Sequence, residues 1–335
     1  MDVDCIILGN ALSGRMMYSL LKREAKCRTL VVDPDPRKGA SLAAIEPSLF
    51  RVSRIPILIN ISELRELNVE LPDAAEVELR PTFIKEGDLQ AKVLGYSAGK
   101  YQTPWPLRWN GKMVFIPNII NSLERAGILE KMDNYVRSGV RIIDVNRQVL
   151  QLTIGTVVNY RCLVSTFPLD VFVSKIRTRP PEIDRELRTL RSKLSFVGFY
   201  IVALLTTAPR PKTGLIYHAT KASRTHTLLL VPYKELQLMY LIASYSDNYP
   251  PIPGFTEKLF SEAQRFRLLE GDVVSEFSYS YLYGALSQAD TSQLLRLLKE
   301  HRVVLLGRTA MWKEMSVAEI LDLTRSMLND VLAML

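Results

Sequence analysis

The sequence predicts an α/β chain that opens with a unit of a doubly wound sheet, continues into a second, mostly antiparallel sheet and returns to the first pattern at its end. Three observations predict it. The head passes from a short apolar segment through a helical stripe into a second short apolar segment by residue 33, the content of one strand–helix–strand unit. Residues 196–244 fall into β-rich runs separated by turn residues, with no helical periodicity between them. From residue 291 onward the chain returns to helix, buried strand and helix.

Composition bounds the rest. The 335 residues carry 43 Lys plus Arg against 35 Asp plus Glu, a net charge of +8, and are 47% hydrophobic. That is a globular composition with material for about two domains and a core that needs no metal or disulfide. Basic and acidic residues alternate without like-charge blocks, which suits a small anionic ligand or, at most, peripheral contact with a membrane surface. No basic stripe interleaved with aromatics points to nucleic acid. Cys5, Cys27 and Cys162 sit singly in or beside apolar runs and are expected as buried thiols in a reducing compartment. MDVDCIILGN enters a strand directly, without the pattern of a signal peptide, so a cytoplasmic protein is expected. The longest apolar stretch, 196–205, has about half the ~20 residues of a membrane span.

In chain order, residues 4–9 form an apolar run closed by Gly9, the pattern of a buried parallel strand. From Leu12 the residues Leu12, Met16 and Leu20, with Met17 and Leu21, recur at helical spacing, and Arg15, Lys22, Arg23 and Glu24 are expected mostly on another face. RTLVVD, 28–33, is the next strand. Pro34, Pro36, Pro47, Pro56, Pro72 and Pro81 punctuate the middle, where Pro104-Trp105-Pro106 marks a rigid loop. Segments 141–144, 149–154 and 156–160 read as short strands with a turn at Gly155, and 162–165 as a further buried strand running into Pro168. Pro180-Pro181 opens a helix to Lys193 with acids early and bases late, as the helix dipole favours. Segments 196–205, 214–217, 227–232 and 238–244 are the strands of the second sheet, and Tyr279, Tyr281 and Tyr283 alternate at strand spacing. A helix at 291–300 and a strand at 303–306 lead to Gly307-Arg308. The last helix starts at Ser316, where Ser316 and Glu319 have capping-box spacing, and Val317, Ile320, Leu321, Leu328, Val331 and Leu335 supply its apolar face.

Gly9-Asn10-Ala11-Leu12-Ser13-Gly14 matches G-x-G-x-x-G with Ala11 at the middle glycine. The string follows a strand and opens a helix whose N-terminal N–H groups can bind phosphate. Asp33 ends the next strand, where a carboxylate accepts from ribose hydroxyls. The methyl group of Ala11 narrows the approach to a pyrophosphate without closing it. The same glycines also suit a strand-to-helix turn that serves packing alone.

Three segments carry a resemblance. IILGNALSG leading to RTLVVD, then GVRIIDVNRQVLQLTIGTVVNYRCLVSTFPLDVF with its Ser-Thr-x-Pro-Leu ending, and LLKEHRVVLLGRTAMWKEMSVAEILD with a Gly-Arg turn, an aromatic and a Met before the last helix, are similar in order and spacing to the flavoprotein family that includes amine oxidases, protoporphyrinogen oxidase and UDP-galactopyranose mutase. The resemblance implies a Rossmann-like FAD/NAD(P)-binding domain, residues 1–50, 136–170 and 298–335, with an inserted mostly antiparallel-sheet substrate domain, 51–135 and 171–297. It implies FAD as cofactor. Pyrophosphate and ribose would lie on Gly9, Ala11, Leu12, Ser13, Gly14 and Asp33, the adenine near the backbone at Val140, and ribityl and ring near Gly307, Arg308, Met315 and Ser316, with the last helix aimed at the ring. The chain departs from the family at 37–41, which keeps one glycine of a usual pair, and at Phe115-Ile116-Pro117-Asn118, which replaces a glycine-rich turn.

The activity so implied is FAD-dependent oxidation of a C–N or C–C bond in a small or hydrophobic substrate. The alternatives are a UDP-galactopyranose mutase-like, flavin-dependent isomerase, with Arg108 or Arg224 as diphosphate ligands, and a cofactor-free scaffold of the same fold that binds a partner. Arg224, His218 and Trp312 are the catalytic candidates beside the flavin itself, with Tyr217 and His226 in the same segment as the first two. No Ser-His-Asp arrangement, P-loop lysine or H-E-x-x-H is present, and no Cys-His metal spacing.

Overall fold

The first strand, Asp2–Leu8, lies at the centre of an eight-stranded sheet, parallel to Val157–Ser165 on one side and to Thr29–Asp33 on the other. The computed structural model describes residues 1–35, 42–45, 51–84, 87–95, 97–246 and 251–335; the expected single-glycine stretch at 37–41 lies outside them. Across this sheet the order is Ile176–Thr178, Val140–Asp144, Val149–Leu152, Val157–Ser165, Asp2–Leu8, Thr29–Asp33 and Tyr135–Arg137, and Val303–Leu305 pairs with Val157–Ser165 as well.

Segments 156–160 and 162–165 are therefore one strand. Its first half is antiparallel to Val149–Leu152 and its second half parallel to Val303–Leu305, both on the same edge. The burial pattern changes along it from alternating to continuous, which is what a strand shows when it passes from a half-exposed meander into a covered parallel sheet.

A second, six-stranded sheet runs Val273–Leu286, Phe196–Thr206, Leu236–Tyr245, Thr225–Tyr233, Gly214–Tyr217 and Pro81–Phe83, antiparallel except for its last pair. A third, of three strands, is built from Leu58–Asn60, Gly111–Phe115 and Ala75–Leu79. The helices Pro181–Arg191 and Ser292–Glu300 pack through Ile183, Leu187, Leu294 and Leu298 into the core of the large sheet. Strand Ile176–Thr178, just before the first of these helices, pairs in the same sheet.

Helix Leu12–Glu24 sits between layers. Met17, Tyr18 and Leu21 face the large sheet, while Leu12 and Met16 meet Ile57, Ile59 and Val114 of the small sheet and Ala318 and Leu321 of the tail. Arg15, expected on an outer face, is 1% exposed and ion-paired with Glu124 of helix Ile119–Arg125. Burial pulls its pKa down and Glu124 opposes that shift. The tail is two helices, Val317–Ser326 and Leu328–Met334, meeting at Met327. Among the described residues no helix is long and apolar enough to cross a membrane.

Candidate functional site

A cleft of about 310 Å³ opens where the three sheets and the tail converge. One wall is Ala11, Leu12 and Ser13 from the start of the first helix, with Gly307, Arg308, Met315 and Ser316 of the tail beside it. The other is apolar and aromatic: Ile55 to Leu58, Trp105, Trp109, Met113 and Tyr281, with Arg108 at its polar end. Trp105 packs against Trp109 at 5.2 Å and Phe199 at 5.7 Å between ring centres. Of the sequence-predicted cofactor residues, Ala11, Leu12, Ser13, Gly307, Arg308, Met315 and Ser316 are brought together here, whereas Gly9, Gly14, Asp33 and Val140 do not line the cleft.

Those last four have other surroundings. Gly9, at φ +106°, packs on Thr166, whose hydroxyl would lie 2.1 Å from an added Cβ. A Cβ at Gly14 would meet the carbonyl oxygen of Gly9, also at 2.1 Å, so Gly14 serves the tight strand-to-helix turn directly. Gly307, at φ +98°, lies against Ser13, bringing the tail up to the head. Val140 is buried in the large-sheet core. The Asp33 carboxylate accepts from the backbone N–H groups of Asn10 at 2.6 Å and Asp35 at 2.7 Å. Burial pushes its pKa up and these two donors partly offset that.

The first helix has no side-chain cap. Ala11 is its N-cap residue, in extended conformation, and offers no oxygen to the first-turn N–H groups, which a helix cannot satisfy internally. Beside it, Asn10 is 2% exposed and its Oδ1 has no donor among the described residues. An uncapped helix N-terminus in a cleft wall and an orphaned acceptor next to Asp33 are what a phosphate and a ribose hydroxyl would complete. The residues present therefore fit a dinucleotide along this wall.

The tail end of the cleft is finished differently. Ser316 accepts from Glu319 N at 3.1 Å while the Glu319 carboxylate accepts from Ser316 N at 2.5 Å, the capping box expected from the spacing. The Ser316 hydroxyl also donates to Glu63 at 3.1 Å. Arg308 is held by Glu314, which accepts from Nε at 2.9 Å and Nη2 at 2.5 Å, by the carbonyls of Tyr283 and Gly284, and by the Tyr281 hydroxyl at 3.0 Å. Burial alone would lower its pKa, but Tyr281 and Glu314 outweigh it and the net shift is upward. Its charge is fixed and its donors are occupied.

The catalytic candidates fall elsewhere. Trp312 is 1% exposed, donates Nε1 to the Ser287 hydroxyl and packs on Tyr283 in the core. His218 lies against Phe266 and lines a small internal cavity together with His226, not the cleft. Tyr217 is buried and donates to Pro106 O. Arg224 lines a separate, open groove of about 1120 Å³ between helices Leu89–Leu94 and Phe255–Arg265.

Sequence reasoning missed Ile55 to Leu58, Trp105, Trp109, Met113 and Glu63 as cleft residues. The Pro-Trp-Pro loop was the available signal, since a rigid aromatic loop among prolines is a natural wall, but nothing local says what it faces.

Neither protein-family models nor curated proteins match this sequence. Solved structures do match its fold. Reduced UDP-galactopyranose mutase superposes with a TM-score of 0.80 at 12% identity, covering 100% of this chain and 95% of that one. A protoporphyrinogen oxidase-like protein from Exiguobacterium sp. 255-15 gives 0.69 at 9% identity, with 98% of each chain covered. A putrescine oxidase variant gives 0.66 at 12%, with 99% of each covered. At such identities the likeness speaks for architecture and not for reaction. The chain has the α/β fold of these solved structures, the fold that its sequence resemblance implies.

Proposed function

We propose that the chain binds FAD along the wall formed by the first helix and the tail, and that it oxidises a C–N or C–C bond of a small or hydrophobic substrate seated against Trp105, Trp109 and Tyr281. The observation that carries this is the uncapped N-terminus of helix Leu12–Glu24 opening into an apolar cleft beside Gly307. Hydride chemistry is what the flavin supplies when bound.

The chain's own residues do the rest. Backbone N–H groups of the first turn, at Leu12 and Ser13, donate to phosphate oxygens with the helix dipole behind them. Asn10 Oδ1 and Asp33 accept from hydroxyls. Arg308, fixed by Glu314, ties the Gly307 turn to strand Val273–Leu286 and so holds the two walls at a set separation. The aromatic wall excludes water and binds apolar substrate surface.

An isomerase acting on a nucleotide sugar needs arginines converging on a diphosphate. Arg108 lines the cleft but Arg224 lines the separate groove, so the oxidoreductase reading is the better supported. The test is the visible spectrum of protein purified from a flavin-replete host, before and after adding FAD. A bound oxidised-flavin band, bleached anaerobically by an amine or another candidate reductant, is the expected result. Colourless protein that takes up no FAD overturns the reading in favour of a cofactor-free scaffold.

A further inference from the structure

Two arginines approach the tyrosines of strand Val273–Leu286, and among the described residues only one of them has a side-chain hydrogen-bond or ion-pair partner. Arg308, below Tyr281, is fully hydrogen-bonded and paired with Glu314. Arg54 lies over the ring of Tyr279, 5.2 Å from its centre, and Tyr279 stacks nearly parallel on Tyr281, 18° apart with centroids at 6.4 Å. Arg54 is 8% exposed. Among the described residues its Nε and Nη1 have no hydrogen-bond partner, and no carboxylate lies within ion-pair distance of it. Its backbone is anchored by Arg54 N donating to Ala43 O at 3.1 Å, and the next residue, Ile55, lines the cleft.

A guanidinium that is nine-tenths buried without an anion is unstable relative to one in water or in an ion pair. Stacking on an aromatic face returns only part of that loss. A guanidinium has two forks, Nε with Nη2 and Nη1 with Nη2, each of which receives two oxygens of a carboxylate or phosphate, and each fork of Arg54 holds one of the unpartnered nitrogens. A residue arranged in this way beside a ligand cleft is one whose partner arrives with the ligand.

We propose that Arg54 is the anchor for an oxyanion carried by the substrate, a carboxylate or a phosphate, so that the substrate of the cleft is anionic at the end away from its reacting bond. This rests on the reading that the cleft takes a small-molecule substrate, but it does not require flavin. Tyr279 fixes the plane of the guanidinium, and the apolar wall from Ile55 to Leu58 takes the uncharged part of the molecule.

The experiment measures thermal unfolding in chloride at constant ionic strength, replacing chloride stepwise with inorganic phosphate or with propanoate. FAD uptake is recorded on the same samples. Wild-type protein is expected to gain a few degrees in Tm, ~2–4 °C, with one of the two anions well above its dissociation constant. A larger response to phosphate assigns a phosphorylated substrate and a larger response to propanoate a carboxylate. Arg54→Met, close in volume, is expected to lose the anion response and to melt higher than wild type in chloride alone, because it removes an unpaired buried charge. A purely structural arginine would lower the Tm when replaced. Arg54→Lys, which keeps charge without the fork, is expected to respond weakly. An anion response that survives in Arg54→Met belongs to the open helix end at Ala11 and overturns the proposal, as does wild type that responds to neither anion. FAD uptake without an anion response removes this proposal alone. An anion response lost in Arg54→Met, without FAD uptake, removes the flavin reading alone.

Discussion

Two helix N-termini border the same cleft, and they are finished in opposite ways. Helix Leu12–Glu24 starts at Ala11 with its first-turn N–H groups uncapped, while Val317–Ser326 starts inside a reciprocal Ser316–Glu319 cap with the Glu63 carboxylate hydrogen-bonded to the same serine. The first end leaves positive potential directed into the cleft. The second has two carboxylates within reach of its positive end, which cancels much of what the dipole would offer an anionic reduced ring. The family resemblance implies both ends for the cofactor; the atoms leave the first end open and close the second.

Experiments can break or sharpen that contrast, beginning with the largest effect. Glu314 is buried and pairs with Arg308 behind the tail wall, so Glu314→Ala leaves a buried cation without its anion and is expected to cost about 3–5 kcal/mol in chemical denaturation. If it costs less than about 1 kcal/mol, the tail wall is not held by this pair. Ala11→Asp installs the missing cap on the first helix. It is expected to stabilise the protein by about 1 kcal/mol and to weaken FAD binding on the order of 100-fold, read by absorbance titration, because a carboxylate then occupies the phosphate position. Unchanged FAD affinity would mean that the ligand does not use this end. Gly14 is unsuited to the same question, since any side chain there collides with the Gly9 carbonyl whatever the function.

A pH effect of intermediate size forms the background to both. His226 is completely buried, and burial, followed by the positive charge of Lys92, pulls its pKa from 6.5 to about 3. The unfolded chain therefore takes up a proton below about pH 6.5 that the folded one refuses, and stability falls as the pH drops from there towards 3. In pH-dependent melts His226→Gln is expected to flatten this acid limb; an unchanged limb would place the sensitivity in other groups. The smallest effect expected is from Ser316→Ala, which opens the tail helix for about 1 kcal/mol of stability. It should leave FAD affinity within about threefold, less than 1 kcal/mol, and a larger loss would bring the tail end back as a ligand contact.

How much of this could be read from sequence follows the range of the interactions. The glycine turn, the tail capping box and the strands of the second sheet are local patterns with periods of two to four residues, and they lie where the sequence places them. Arg15 defeats such reading because Glu124, whose partnership accompanies its burial, is remote in sequence. Arg54 does so because its ring partner Tyr279, on the second sheet, is remote in sequence. Helix Pro181–Arg191 was legible as a helix, but its apolar face carries no label for which sheet it covers. The two strands inferred at 156–165 were one because partner exchange along an edge changes the burial period without breaking the backbone.

The pairing of Leu163–Ser165 with Val303–Leu305 also sets an order of assembly. During synthesis the residues of the antiparallel sheet, nearly all within 196–286, emerge before the strand that completes the parallel one. The first sheet must wait with the second half of one edge of strand Val157–Ser165 uncovered, exposing Leu163 and Val164 and their backbone groups to other chains. A ribosome-bound nascent chain stalled before residue 300 should thus hold a formed antiparallel sheet and an unfinished large sheet.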